Sequence, residues 1–339
     1  MESKKERLLK SLDNIKTDRP PCICPGGMMN MITKDLMEKI GTYLPEAHKN
    51  RHDMVKLIEA VVEESCFENY GVPFCMTLEA EAYGSDVDYG SDIFEPHVVG
   101  FLIDEIEDFK NLKEMDFSNR VEEVLSAIEI LKSEGNKDIP IIGNVTGPIS
   151  LATTILDPVK FYKALVKKNK LAHEYLDFLT ADLVKLANKM ADRGADLIAI
   201  ADPSGTGEIL GPKRFEEFTV YYINKIVDSL AKRNIKTIVH ICGNMTGVYK
   251  EVNKIRSNTL SFDSMVSMTE AKKNLKDRVL MGNVSTYALE FMESSKIKDL
   301  TLSAKRNGSS IISPACGLGM KTPIENIKAM LEALEEENA

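Results

Sequence analysis

The sequence of 339 residues has no long apolar run, no secretory leader and no excess of positive charge. No apolar stretch approaches the roughly 18 residues of a membrane-spanning helix, which argues against a membrane protein. The N-terminal residues 1–9 are charged and amphipathic, and no signal-peptide core follows them, so export is not expected. The net charge is −9 and no basic cluster with interleaved aromatics is present, which argues against nucleic-acid binding. These absences predict a cytoplasmic protein.

Cysteine is sparse, with six residues in the whole chain. In a reducing compartment these are better interpreted as free thiols or metal ligands than as a disulfide framework. Four of them lack a nearby histidine or lie in apolar stretches, and we interpret them as packing residues; they are Cys22, Cys24, Cys66 and Cys75. The other two each stand at the end of an apolar run.

Eight short apolar or β-branched runs alternate for the most part with stretches of helical periodicity. They are residues 21–24, 72–77, 139–144, 196–201, 237–242, 259–263, 279–283 and 310–313. Alternating strands and helices predict an α/β fold with parallel pairing, and eight units predict a closed (β/α)8 TIM barrel. A doubly wound open sheet is the alternative, but no glycine-rich dinucleotide fingerprint follows the first run.

The N-terminal part, residues 1–20 and about 28–70, is expected to form a helical extension of the barrel. No low-complexity linker or internal repeat interrupts the chain, so we expect a single domain over residues 1–339.

His240 and Cys242 lie two positions apart at the end of the fifth run, and Cys316 follows the eighth. Residues i and i+2 of a strand point to the same face, and all strand ends of a barrel meet at its C-terminal rim. One imidazole and two thiolates favour zinc over magnesium or calcium, and three ligands leave one position open, as in catalytic zinc sites. Asp263, at the end of the sixth run, is expected to be the fourth ligand or a helix N-cap.

Other polar residues at the strand ends are candidates for substrate or cofactor contacts. Asn144 and Asn283 end the third and seventh runs, and Asp202 follows the fourth. Asp202 is expected either to serve the reaction or to cap the following helix. Near the C-terminus, Thr322 is expected to be the N-cap of a helix with Pro323 in its first position and Glu325 closing a capping box. The N-terminus of that helix, with Lys321 and Thr322, suits a sulfonate or phosphate.

Several segments resemble the methylcobamide:coenzyme M methyltransferases, a family within the uroporphyrinogen decarboxylase superfamily. They are residues 194–203, 240–244, 280–285 and 314–328, together with 43–48 and 143–148. The resemblance covers nearly the whole chain and implies that His240, Cys242 and Cys316 bind zinc. The family has a glutamate where Asp263 aligns.

The resemblance implies methyl transfer from a methylated corrinoid, carried on a partner protein or free as methylcobalamin, to a thiol such as coenzyme M. Two enzymatic alternatives stay open. The chain either activates a methyl donor (methanol, a methyl ether or a methylamine) for attack by cob(I)alamin, or passes the methyl group to tetrahydrofolate.

Two further functions are disfavoured by what the sequence lacks. Uroporphyrinogen decarboxylation needs arginines for the substrate carboxylates, and none occurs between Arg19 and Arg51. A non-enzymatic corrinoid- or zinc-binding module would carry a cobalt-ligating D-x-H-x-x-G motif, and none of the five histidines lies in one. The oligomeric state stays open.

Overall fold

A computed structural model of the chain describes residues 2–337. The helices before the first named strand are α1 (Lys4–Leu12), α2 (Lys34–Ile40), a short 3-10 helix (Glu46–His48) and α3 (Arg51–Glu63). A capping box between Ser3 and Glu6 starts α1. These elements fall within the two segments expected to be helical. The prediction of a single domain extends to residues 1, 338 and 339, which lie outside the described residues.

Six parallel strands form the central sheet, and a short antiparallel hairpin stands apart from it. The strands are β1 (Tyr70–Val72), β2 (Val87–Asp88), β3 (His97–Val98), β4 (Ile141–Thr146), β5 (Leu197–Ala201), β6 (Lys236–Ile241), β7 (Thr259–Phe262) and β8 (Val279–Met281). The order in the sheet is β1-β4-β5-β6-β7-β8, and β2 pairs with β3 in the hairpin. The strands of the sheet are buried almost throughout, as expected when helices cover the outer face of a parallel sheet.

Two extended segments close this sheet into a barrel. Ile311 forms a parallel bridge with Met281 of β8, and Ile312 forms one with Cys22. The Cys22 carbonyl accepts a hydrogen bond from Glu68 N at 2.9 Å, just before β1. The eight predicted strand positions therefore occur in the predicted order, and the (β/α)8 barrel is confirmed.

The second predicted strand, residues 72–77, has the wrong bounds. The observed strand ends at Val72 because Pro73 follows it and has no N–H to donate to a neighbouring strand. Just before β1, the side-chain amide of Asn69 makes the two hydrogen bonds to Cys24 that a neighbouring backbone would otherwise make. Its Nδ2 donates to Cys24 O at 2.8 Å and its Oδ1 accepts from Cys24 N at 3.0 Å.

Helices connect the strands on the outside of the barrel. They are α4 (Leu78–Ala82), α5 (Asn119–Ser133), α6 (Pro148–Ile155), α7 (Pro158–Lys167), α8 (Asn169–Arg193), α9 (Gly207–Arg214), α10 (Tyr221–Ala231), α11 (Tyr249–Val252), α12 (Met268–Asn274), α13 (Thr286–Phe291), α14 (Ser294–Arg306) and α15 (Ile324–Glu336), with a 3-10 helix over Ile106–Asn111 and a π-helix over Phe215–Val220. Gly211 interrupts α9 with φ 67°, and a new helical segment begins at Pro212, because the fixed φ of proline suits the first helical position. Within residues 2–337, none of these helices is long and apolar enough to cross a bilayer.

Candidate metal centre

Three side chains from two separate strand ends meet at the C-terminal mouth of the barrel. His240 lies on β6, Cys242 directly follows that strand, and Cys316 follows the extended segment that contains Ile312. Their ligand atoms, an imidazole nitrogen and two sulfurs, all lie within 4.8 Å of one another. The Nε2 atom of His240 is 3.3 Å from the Cys242 sulfur. The structure thus brings together the three residues that the sequence singles out.

Neighbouring residues fix the orientation of the His240 ring and of the turn after Cys242. The other ring nitrogen of His240, Nδ1, lies 2.9 Å from the hydroxyl oxygen of Ser261 on β7, which leaves Nε2 facing the sulfurs. Gly243 turns the chain after Cys242 with φ 84°, a conformation that favours glycine. The next residue, Asn244, donates its backbone N–H to Glu208 Oε2 at 3.1 Å. A histidine held through its second nitrogen is a common feature of metal sites.

The two thiols shift each other's pKa in opposite directions. A hydrogen bond from Cys242 to the Cys316 sulfur lowers the pKa of Cys316, and hydrogen bonding from His240 lowers it further against the effect of burial. The same hydrogen bond, together with burial, raises the pKa of Cys242. One thiolate is thereby favoured even in the metal-free protein. The donor set, an imidazole and two cysteine sulfurs, fits zinc.

Asp263 lies near the group but outside it. Its negative charge contributes to the raised pKa of Cys242. Its Oδ1 accepts hydrogen bonds from Met265 N at 2.9 Å and from the Ser264 hydroxyl at 3.2 Å. Asp263 is therefore held in a local turn, and no carboxylate of residues 2–337 joins the three-residue group. A role for Asp263 as a metal ligand stays a prediction that requires a change in this turn.

The two asparagines that were expected to contact the cofactor, Asn144 and Asn283, donate hydrogen bonds to backbone carbonyls of neighbouring barrel segments. The side-chain amide of Asn283 donates to Asp263 O at 2.9 Å and to Val266 O at 2.8 Å, so it fixes the Asp263 turn. The amide of Asn144 is buried and donates to Pro25 O at 2.6 Å and Val72 O at 3.0 Å. Contact with a cofactor stays a prediction for each.

Asp202 is fully buried and caps a helix, although not the one that the sequence suggests. Its carboxylate accepts hydrogen bonds from the backbone N–H groups of Ile149 and Ser150 and from the Ser150 hydroxyl, at 3.2, 2.8 and 2.7 Å. These groups belong to the first turn of α6, which precedes β5, whereas the expected cap was for the helix after β5. Burial raises the pKa of Asp202 to about 6, although these hydrogen bonds favour the ionised form.

The predicted capping box around Thr322 is wrong. The N-cap of α15 is Pro323, and the hydroxyl of Thr322 is buried without a hydrogen-bond partner among the described residues. Asp35 of α2 accepts a hydrogen bond from Ile324 N at 3.3 Å, so a residue distant in sequence supplies the cap. Lys321 is exposed, and its role in anion binding, like that of Thr322, stays a prediction.

Two groups at the mouth were not identified from the sequence. Glu79 of α4 is buried at the end of β4, and burial raises its pKa to about 7. Cys75 accepts a hydrogen bond from Arg120 Nη2 at 2.8 Å. It is therefore a polar partner of Arg120 as well as the packing residue that the sequence suggests. Each of these residues lies outside any recognisable motif, and only the fold shows that it is buried. The E-A-E spacing of residues 79–81 reads in the sequence as a solvated helix surface.

The comparisons with known proteins agree with this fold. Residues 3–337 match the uroporphyrinogen decarboxylase (URO-D) family. The chain is 33% identical to "Methylcobamide:CoM methyltransferase MtbA" of Methanosarcina acetivorans, over 97% of this chain and 96% of that protein. It is also 33% identical to "Methylcobamide:CoM methyltransferase MtaA" of Methanosarcina barkeri, over 98% of this chain and 97% of that protein. A solved structure, "methyltransferase from Methanosarcina mazei", superimposes with a TM-score of 0.90 at 30% identity and covers 100% of both chains. The chain therefore belongs to the uroporphyrinogen decarboxylase (URO-D) family, within it to the methylcobamide:CoM methyltransferases, and is an enzyme of the methyltransferase kind.

Proposed function

We propose that this chain moves a methyl group from a methylated corrinoid to a small thiol such as coenzyme M, with a zinc ion held by His240, Cys242 and Cys316. The observation that carries the proposal is the convergence of these three side chains, within 4.8 Å of one another, at the mouth of a barrel whose full length is similar to methylcobamide:CoM methyltransferases. When bound, zinc would lower the pKa of a thiol in its open position and orient the sulfur.

The side chains of this chain have distinct tasks in that reaction. Cys316 and Cys242 offer thiolate ligands, and the Cys242–Cys316 hydrogen bond already favours one of them. Ser261 holds the His240 ring so that Nε2 faces the sulfurs. The thiol sulfur supplies the electron pair for the new S–C bond, and the electron pair of the Co–C bond stays on cobalt, which gives a thioether and cob(I)alamin.

A corrinoid protein is the proposed methyl donor, and exposed apolar side chains around the mouth support this. Met265 follows β7, and Tyr287 and Phe291 lie on α13 after β8, each with about two thirds of its surface exposed. The two rings are 4.9 Å apart. Phe94, in the β2–β3 hairpin, is equally exposed. We call Phe94, Met265, Tyr287 and Phe291 the rim patch. Exposed aromatic residues grouped beside a site are typical of protein interfaces.

A cytoplasmic location is part of the proposal, because both candidate ligand thiols must stay reduced. All six cysteines are free in the structure. The reducing conditions of the cytoplasm would keep Cys242 and Cys316 available for metal.

The test is a methylcobalamin demethylation assay, read by the absorbance change of the corrinoid. Coenzyme M, homocysteine and tetrahydrofolate are offered in separate reactions to the zinc-loaded protein. We expect consumption of methylcobalamin with coenzyme M, and loss of the rate in the His240→Ala variant. Consumption of methylcobalamin only with tetrahydrofolate would mean that tetrahydrofolate, and not a thiol, is the methyl acceptor. If no acceptor works, while methanol, a methyl ether or a methylamine methylates cob(I)alamin, the reaction runs in the opposite direction and the proposal is wrong.

A further inference from the structure

Glu79 is a buried carboxyl group without a cationic partner. It is 1% exposed, and Thr146 at the end of β4 donates its backbone N–H to Oε1 at 2.6 Å and its hydroxyl to Oε2 at 2.8 Å. Among residues 2–337, no lysine, arginine or histidine forms an ion pair with it. Burial of an unpaired carboxylate is costly, so this group is poised to take up a proton from its surroundings.

The carboxyl group lies in the same barrel mouth as the metal centre. Thr146 pairs with Ala201 of β5, and Ala201 pairs with His240 of β6. Two strand spacings of about 4.8 Å each separate the Thr146 and His240 backbones, roughly 10 Å in all. Glu79, Asn144, Thr146 and Ala201 line a cavity of about 10 Å³, which is room for one water molecule. A water in this cavity would contact Glu79, and further waters in the open mouth would complete the link to a group bound at the metal centre.

Few charges act on Glu79. Burial is the main cause of its raised pKa of about 7, and the Cys75 side chain adds a smaller effect in the same direction, while the two hydrogen bonds from Thr146 oppose both. The charged groups of the helices around it are engaged with each other, since Arg120 of α5 pairs with Glu81 at 2.8 Å. The facing strand ends contribute Asn144, Thr146 and Ala201, which carry no charge at any pH. Both protonation states of Glu79 are consequently accessible near neutral pH, as general acid–base catalysis requires.

We propose that Glu79 is the proton acceptor for the incoming thiol, a role that rests on the proposed function. The S–H bond breaks and its proton passes along bridging waters to a carboxylate oxygen of Glu79. The sulfur electron pair forms the S–C bond to the methyl group, and the electron pair of the broken Co–C bond stays on cobalt. Glu79 then releases the proton to solvent, one per turnover. No oxidant or reductant is needed.

The test compares Glu79→Gln with the wild type and with Glu59→Gln. Glu59 of α3 is a matched control, because burial also raises its pKa but it lies on the outer helical extension. Methylcobalamin demethylation by coenzyme M is measured from pH 5 to 9, together with the metal content of each protein. We expect Glu79→Gln to keep its metal, to lose about 10²-fold in rate and to lose the rise in rate around neutral pH. Glu59→Gln keeps the wild-type profile.

A second variant separates proton transfer from structural support. In Glu79→Ala, added formate should restore part of the rate, because a small carboxylate can occupy the space of the missing side chain. A Glu79→Gln protein that keeps the wild-type rate, or that is slower at every pH with an unchanged profile, overturns the inference alone. A wild type that consumes no methylcobalamin with any thiol overturns the proposed function and this inference together.

Discussion

The Ser261 hydroxyl oxygen lies 2.9 Å from Nδ1 of His240, the ring nitrogen that faces away from the Cys242 sulfur. This contact fixes the ring so that Nε2 is free to bind a metal. Replacing Ser261 with alanine should lower the zinc affinity by about 10- to 100-fold, as loss of such a supporting contact does in other metal sites. Competition with a chromophoric chelator measures the change.

Ser257→Ala is the matched control for that variant. Ser257 lies just before β7, at the end of the strand opposite the mouth, and its hydroxyl donates to Thr259 O at 2.8 Å. The zinc affinity of the Ser257→Ala protein should equal that of the wild type. Equal affinities for Ser261→Ala and the wild type would show that the contact does not orient His240.

Cys316 is the only member of the three-residue group that comes from the last barrel segment. Cys316→Ala should bring the metal content from about one zinc per chain to near zero, because two ligands do not hold the ion firmly. The barrel core does not include the Cys316 side chain, so the thermal unfolding temperature without metal should be unchanged. Elemental analysis of Cys316→Ala and of the core control Cys66→Ala decides this. Full zinc occupancy in Cys316→Ala would contradict the assignment.

Much of this site could be predicted from the sequence because it follows from strand ends. His240 and Cys242 stand two positions apart after an apolar run, Cys316 follows another run, and a parallel barrel places all strand ends on one rim. No knowledge of side-chain packing is needed for that step.

Three features that the sequence did not reveal depend on partners that are remote in sequence. Thr322 has the sequence pattern of a capping box, yet Asp35 of a different helix caps α15. Asp202 caps α6, which precedes its strand. Glu79 looks like a surface residue until β4 is placed beside it. In each case the tertiary contact outweighs the local preference, and no local pattern records such a contact.

His48 is buried with both ring nitrogens unpartnered within the described chain. Burial, followed by the charges of Arg120 and Lys49, lowers its pKa to about 3. The unfolded chain takes up a proton below about pH 6.5, whereas the folded protein does not, so stability falls as the pH drops through this window. His48→Leu should remove this dependence and be at least as stable at pH 7, since it buries no unpaired polar group.

Urea unfolding at pH 7 and pH 5 measures the effect of that variant. The free energy of unfolding should fall over this interval by about 2 kcal/mol less in His48→Leu than in the wild type. His52→Leu is the control, because His52 is exposed on α3 and should leave the pH dependence unaltered. The same fall in His48→Leu as in the wild type would mean that His48 is protonated in the folded protein.

A substitution in the rim patch can distinguish recognition of a corrinoid protein from recognition of the corrinoid itself. Phe291 is 66% exposed on α13 and lies against Tyr287. Phe291→Asp places a charge in an apolar contact and should raise the KM for a methylated corrinoid protein by about 10-fold or more, as truncation of an aromatic interface residue typically does. The rate with free methylcobalamin should stay the same, because Phe291 is not one of the three residues of the metal centre. Val166→Asp, on the outer helix α7 with 57% exposure, is the control and should alter neither KM. Equal losses of rate with the protein-bound and the free methyl donor would place the defect of Phe291→Asp in the catalytic site. An unchanged KM for the corrinoid protein would show that the rim patch is not its docking surface.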